Sequence, residues 1–261
     1  APSPYISVVT NIELDHTDYY KSQEQYNEAF VEFLSNTQKA IVVDSTGENV
    51  KDVLRKVGEK EIVDIKDIDH CENVTAGLKG EYNRENVLRA CGVAKVLGLD
   101  IDIEDFPGVA SRFEFKGDTP NGMPVYLDYA HNPTKVKACL RATRESFPGK
   151  KVLFVWQPHS FERTYSFKEK FAQSIGEADI VYIPNIYAPT REERRYRELI
   201  SEREFVDYLQ EENKNIQVDF TDGVENTSKL LLDDMYNDEY VCVLASAGDL
   251  HQIIPMLSLD K

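Results

Sequence analysis

Short apolar runs alternate along the chain with amphipathic stretches whose apolar residues recur every third or fourth position. The runs read as strands at Tyr5–Asn11, Ala40–Asp44, Ile62–Ile65, Val152–Trp156, Ile180–Ile183, Ile216–Phe220 and Val241–Leu244. The amphipathic stretches read as helices at Glu24–Leu34, Val50–Val57, Val87–Gly98, Thr134–Phe147, Phe167–Ile175, Glu204–Leu209, Val224–Met235 and Leu250–Leu257. Strand and helix in alternation predict an α/β fold with a mostly parallel, doubly wound sheet. The acidic stretch Asp100–Pro107 reads as a linker, so two domains are expected, residues 1–106 and 107–261. The first opens on a strand of buried pattern with no earlier element to pair with, and so reads as the remainder of a larger domain.

The polar residues concentrate where strands end. Pro124–Leu127 reads as a short strand and Pro133 suits the first position of the next helix, since its missing N–H is needed least there. The turn between them presents Asp128, Tyr129, His131 and Asn132 together. Two further strand ends carry Gln157-Pro158-His159-Ser160-Phe161-Glu162-Arg163-Thr164 and Ser246-Ala247-Gly248-Asp249. In open α/β sheets such carboxyl-end turns are where ligands bind. Ile12–Tyr20 packs carboxylates around His16, a mixture that suits a divalent cation and equally a solvated acidic loop. Asn83 and Asn86 stand three apart near a helix start, able to read a heterocycle edge or simply to cap. The run Arg191–Arg195 alternates in sign and reads as a solvated loop.

Composition narrows the function classes. A net charge of -16 over 261 residues argues against a nucleic-acid or anionic-membrane partner, although a small anion can still be held in a locally basic pocket. No apolar run approaches a membrane span, and no basic-then-apolar leader is present. Cys71, Cys91, Cys139 and Cys242 lie far apart without metal-type spacing and read as reduced thiols of a cytoplasmic protein.

Several segments, in order over nearly the whole chain, resemble the Mur ligases. Thr10-Asn11-Ile12-Glu13-Leu14-Asp15-His16-Thr17-Asp18 is similar to the family's TNIEPDHLD, with Leu14 for proline. Gly80–Asn86 resembles G-x-H-N-x-x-N with Tyr82 for histidine, and Gly108–Glu114 resembles GVxRRFE with Ser111 for the first arginine. Asp128–Pro133 looks like DYAHNP, which folylpolyglutamate synthetases share. Gln157–Thr164 is similar to QPHRYxRT of the alanine-adding branch, with Ser160 for arginine. Ile186-Tyr187-Ala188 and Ser246–Asp249 also fall in register with that branch. Branches that add later amino acids carry a carbamylated lysine at a place that here lies near Phe30.

The resemblance implies a partial central ATP-binding domain followed by a Rossmann-like C-terminal ligase domain. It implies ATP and Mg2+ as cofactors, UDP-N-acetylmuramate and L-alanine as substrates, and amide formation through an acyl phosphate in peptidoglycan precursor synthesis. By motif match His16 is the metal ligand, Asn83 and Asn86 bind adenine, and Arg112 and Asp128 contact phosphate and ribose. His131, Asn132, His159 and Arg163 fall on the reacting side, and Gly248 on the approach of the amino acid. The nucleotide positions straddle the linker near Asp105, so a site assembled by domain closure is expected. No G-x-x-x-x-G-K-[ST] phosphate loop occurs in the sequence, and the expectation is a piece of a longer ligase, inactive alone. Two alternatives remain: another Mur-type ligase, of murein tripeptide recycling or folylpolyglutamate synthesis, or a non-catalytic binding module that lost the loop.

Overall fold

The computed structural model describes residues 3–16, 19–68, 78–102, 106–190, 192 and 194–260. The chain forms two compact units, Ala1–Leu78 with Tyr82–Pro107 and Lys79–Glu81 with Gly108–Lys261. The linker residues 103–105 lie outside the described residues.

The first unit holds strands β1 (Ile6–Val9), β2 (Ala40–Val43) and β3 (Glu61–Asp64) in a parallel sheet of order β1-β2-β3. Helices α1 (Gln23–Ser35) and α2 (Glu48–Val57) bury Leu34, Val50, Val53 and Val57 against Val9, Ile41 and Val43 on one face. Ser22 caps α1 by accepting the Gln25 N–H. Helix α3 (Glu81–Leu97) crosses the other face, where a Cβ on Gly92 would stand 2.7 Å from Val42 Cγ1. Glycine is therefore what lets the helix lie so close. Strand β1 is less buried than its pattern predicts, with Val8 at 44% exposure. It is one of the two edge strands of the described sheet, and α3 sits over β2 and β3.

One buried charge ties α3 to this sheet. Arg89 is 4% exposed, and its guanidinium donates to the carbonyl oxygens of Val9 (3.1 Å) and Thr10 (2.8 Å) and to Glu85 (3.1 Å). Those carbonyls stand at the end of β1, where the run Thr10–Glu13 begins.

The second unit holds β4 (Glu114–Asp118), β5 (Pro124–Asp128), β6 (Lys151–Gln157), β7 (Ile180–Ile183), β8 (Gln217–Phe220) and β9 (Tyr240–Ser246) in the order β4-β5-β9-β6-β7-β8. Every neighbouring pair is parallel except β4 with β5. Register aligns Asp128 with Ala245 and Ala245 with Trp156, and places Gln157 beside Ser246. Strands β6 and β9 are buried on both faces, which accounts for their unbroken apolar runs. Trp156 packs with Phe171 and Phe205, from helices α6 (Lys168–Ser174) and α7 (Glu202–Glu212). On the other side Leu231 of α8 (Val224–Leu231) joins Leu250, Ile253 and Leu257 over Val125, Leu127, Leu153 and Val155.

The mixed α/β fold with a parallel-rich sheet agrees with the sequence pattern, and the departures have local causes. Helix α4 (Pro133–Ser146) starts at Pro133 as expected, but Gln157–Thr164 turns into a short helix α5 (Phe161–Ser166) that the pattern does not show. Leu250–Met256 is a 3-10 helix rather than an α-helix. Pro255 within it has no N–H to give an i−4 carbonyl. Helix α8 stops at Leu231, short of Met235. Cys139 and Cys242 are free and buried, whereas Cys91 is disulfide-bonded, which corrects the reading of all cysteines as reduced. Cys71 lies outside the described residues. No helix among the described residues is long and apolar enough to cross a membrane.

Replacing Arg89 with methionine leaves two carbonyls without a donor inside the first unit. The expected loss is about 2 kcal/mol, that of buried carbonyls losing a charged donor, because Glu85 is partly exposed and adds little. Faster hydrogen exchange at the β1 and β2 amides reads it, while the unfolding transition reported by Trp156 fluorescence stays in place.

Candidate active site

The sheet of the second unit carries its polar turns on one edge, because β5, β9, β6 and β7 run parallel and end together. After β5 the chain continues through Tyr129 to His131, and Asn132 caps α4 by accepting the Lys135 N–H at 2.9 Å. That bond gives Asn132 a structural duty beside any catalytic one. His131 is 8% exposed, and its Nδ1 lies 2.8 Å from the Tyr129 carbonyl oxygen. A ring held at Nδ1 by a carbonyl oxygen turns its Nε2 the other way.

Before β4, Ser111 and Phe113 both adopt left-handed backbone, with φ of 56° and 52°. For a phenylalanine this is strained, and two carboxylates hold it. Asp128, 4% exposed, accepts the Phe113 N–H at 2.9 Å, and Glu114 accepts the Ser111 N–H at 2.9 Å. The Ser111 amide, and then Lys116, hold the Glu114 carboxyl below the usual carboxylate range. Between the two strained residues the half-buried Arg112 sets its guanidinium 5.2 Å from the centre of the Tyr129 ring.

The arginine starts a row of contacts along the edge. Tyr129 meets His131 edge-on at 5.0 Å, His131 lies 6.3 Å from His159, and His159 stacks on Tyr187 at 5.4 Å and 28°. Tyr187 is held beside His159 by backbone pairing: its N–H donates to Pro158 O and its carbonyl accepts the Ser160 N–H. Ser160 is left-handed at φ 69° and caps α5, accepting the Arg163 N–H, so Arg163 sits half-buried one turn from His159.

At the far end Gly248 has no room for a side chain. A Cβ there would come within 2.6 Å of both Gln157 Oε1 and Tyr187 Cγ. Packing within the chain therefore requires glycine at this position.

The structure thus brings Arg112, Asp128, His131, Asn132, His159, Arg163 and Gly248 to one edge of one sheet. Asn83 and Asn86 belong to the first unit, on α3, the former 7% exposed and the latter exposed. His16 is exposed, at φ 53°, with its N–H on Asp15. Among the described residues no group of three or more His, Cys, Asp or Glu side chains is placed to hold a metal ion. Thr17 and Asp18 beside it, and Arg191 and Glu193 of the alternating run, lie outside the described residues. Gln157 and Tyr187 carry no role in the sequence pattern, whereas Tyr129 stands in it as the phenol of the turn after β5. Gln157 ends an apolar strand and is 0% exposed, a buried carboxamide that calls for partners.

A family model for the Mur ligase glutamate ligase domain matches residues 111–248, and one for the Mur ligase middle domain matches residues 2–66. The chain belongs to the Mur ligase family. A UDP-N-acetylmuramate–L-alanine ligase of Lactococcus lactis subsp. cremoris is 31% identical over 95% of this Mur ligase chain and 59% of the relative. The crystal structure of the UDP-N-acetylmuramate-alanine ligase MurC of Thermotoga maritima aligns with a TM-score of 0.67 at 20% identity, over 98% of this chain and 59% of that one. The MurF ligase of Thermotoga maritima in complex with ADP aligns with a TM-score of 0.65 at 18% identity, over 97% and 61%. At these identities the structural likeness establishes the fold. This Mur ligase chain spans 53% to 59% of the length of the first curated relatives it matches.

In this Mur ligase chain Gly248→Ala forces the Tyr187 ring and the Gln157 carboxamide apart. The expected loss is about 2 kcal/mol, typical of an overpacked site that can shift in part. A lower denaturation midpoint for the second unit, followed by Trp156 fluorescence, checks it.

Proposed function

We propose that this chain is part of an ATP-dependent acid–amino-acid ligase of peptidoglycan precursor synthesis. It joins L-alanine to UDP-N-acetylmuramate in the cytoplasm. The observation that carries the reading is the row Arg112–Tyr129–His131–His159–Tyr187, which gathers motif residues from four separate segments on one edge of one sheet. The alanine-ligase relatives across most of the chain support it.

The chemistry of the donor set fits an anion. ATP supplies the phosphoryl group that activates the substrate carboxylate. The guanidinium of Arg112 and the imidazole of His159 are donors suited to the negative charge that grows as an amine adds to an activated acyl group, while His131, its Nδ1–H given to the Tyr129 carbonyl oxygen, turns the Nε2 of the neutral ring as an acceptor suited to a proton of that amine. Arg163, one turn along, adds a second guanidinium suited to a carboxylate or a departing phosphate. The burial of His131 keeps water from competing for it. Asp128 offers its carboxylate to a ribose hydroxyl while one oxygen holds the Phe113 amide. Asn83 and Asn86 are assigned the adenine edge, and Gly248 the boundary of the amino-acid position.

For Mg2+ the residues do not suffice by themselves. His16 has no cluster of ligands around it among the described residues, so a metal there takes donors from elsewhere. The sequence carries no Gly-Lys-Thr phosphate loop, and these 261 residues alone are expected neither to hydrolyse ATP nor to ligate.

The test uses the product of the complete open reading frame that contains these residues. Phosphate release from ATP should require both UDP-N-acetylmuramate and L-alanine, and murein tripeptide or a folate should not replace them. His159→Ala should lower kcat by about a hundredfold. Release that ignores alanine, or a His159 variant of full activity, would overturn the assignment.

A further inference from the structure

We infer that Gln157 is a positioning residue, whose carboxamide joins three carboxyl-edge turns and thereby fixes Tyr187 against His159. The functional meaning of the inference rests on the ligase reading above, but its geometry does not.

Gln157 is the last residue of β6 and fully buried. Its Nε2 donates to Asn185 Oδ1 at 3.1 Å, in the turn after β7, and to Asp249 Oδ1 at 2.7 Å, in the turn after β9. Its Oε1 accepts from the Ser246 hydroxyl at 2.7 Å and from the Asp249 N–H at 3.2 Å. Both N–H donors and both lone pairs of the amide are therefore used, which determines its orientation. The Ser246 oxygen in turn accepts the Gly248 N–H at 2.7 Å, so the chain of bonds runs from Gly248 through Ser246 to Gln157 without a break.

The consequence reaches His159 through contact. Gly248 is pinned by this chain, and the side on which it lacks a Cβ is closed by Gln157 Oε1 and the Tyr187 ring. Tyr187 lies between Gly248 and His159, stacked on the imidazole at 5.4 Å. Asn185, two residues before Tyr187, is held by the same carboxamide. The turn that presents Tyr187 is thus fastened at its start by Gln157, at its ring by Gly248, and at its backbone by Pro158 and Ser160. No other neutral side chain of this length offers two donors and two acceptor sites from one planar group. Methionine matches the volume and makes none of the four bonds. Glutamate matches the shape, but as an anion it has nothing to give to Asp249 and faces its carboxylate.

The difference between these replacements supplies the test. The 261-residue chain is prepared as wild type, Gln157→Glu and Gln157→Met with labelled histidine and tyrosine, and the His159 ring protons are followed by NMR. In the wild type they are shifted upfield by the Tyr187 ring, and each variant is compared with the wild type at the same pH so that protonation of the imidazole does not enter the difference. In Gln157→Met that upfield shift is lost throughout. In Gln157→Glu it is lost near pH 8 and recovered near pH 5, because a buried carboxyl opposite Asp249 has its pKa raised and on protonation regains one donor. Stability follows the same sign: with the folded pKa raised, the variant is nearest to wild type at low pH and falls away as pH rises. A merely structural role for Gln157 lowers melting temperature but leaves the His159 shift at its wild-type value, and that result overturns the inference. So does a Gln157→Glu chain that is wild-type-like at both pH values, or unfolded at both. Should the ligase reading fail in the activity assay, the His159 signature still decides this point on its own.

Discussion

Parallel pairing of β5, β9 and β6 is the constraint on which the rest of the second unit depends. Parallel strands enter at one edge and leave at the other, so every turn that follows them falls on the same side. Here the paired ends are Asp128, Ala245 and Trp156, with Gln157 and Ser246 one residue further. Burial of β6 and β9 on both faces fixes that register, since a slip would leave polar strand-end residues inside and drag apolar ones out. The polar turns are therefore gathered by the hydrophobic core beneath them, before any contact among themselves.

What the core gathers, hydrogen bonds then set in place. A carboxylate and a carboxamide do most of this work from buried positions. Asp128 stabilises a left-handed phenylalanine next to Arg112, whose guanidinium lies over the Tyr129 ring, and Gln157 joins the turns after β6, β7 and β9. Removing water from such groups is unfavourable unless each is answered by a partner. Left-handed non-glycine backbone at Ser111, Phe113 and Ser160 lies in the same region, next to the residues that would meet a substrate. In the first unit Arg89 plays a comparable part, since its guanidinium satisfies two carbonyls at the end of β1.

Much of this is legible in the sequence where local pattern and tertiary outcome coincide. The strand–turn–helix from Pro124 to Ser146 follows from an apolar run, a proline at the first helical position and an asparagine ahead of it. Strand β7 has the limits its apolar run predicts. Other features depend on partners distant in the chain. Nothing near Gln157 announces that Asn185 and Asp249 will meet it, and Tyr187 matters only because β7 lies beside β6. Helix α5 is hidden because its signal is a serine cap in left-handed backbone, which propensity does not favour. At Gly248 the reason for glycine, a tyrosine ring and a carboxamide filling the place of its Cβ, is tertiary. The exposure of Val8 likewise reflects its place at the edge of the sheet.

The central claim is that one edge of one parallel sheet presents a continuous row from Arg112 to Tyr187. Nuclear Overhauser contacts between side chains in solution test it most directly. The account predicts one connected series of contacts, Arg112 with Tyr129, Tyr129 with His131, His131 with His159, and His159 with Tyr187. Separate pairs, with His131 and His159 showing no contact through space, would contradict it.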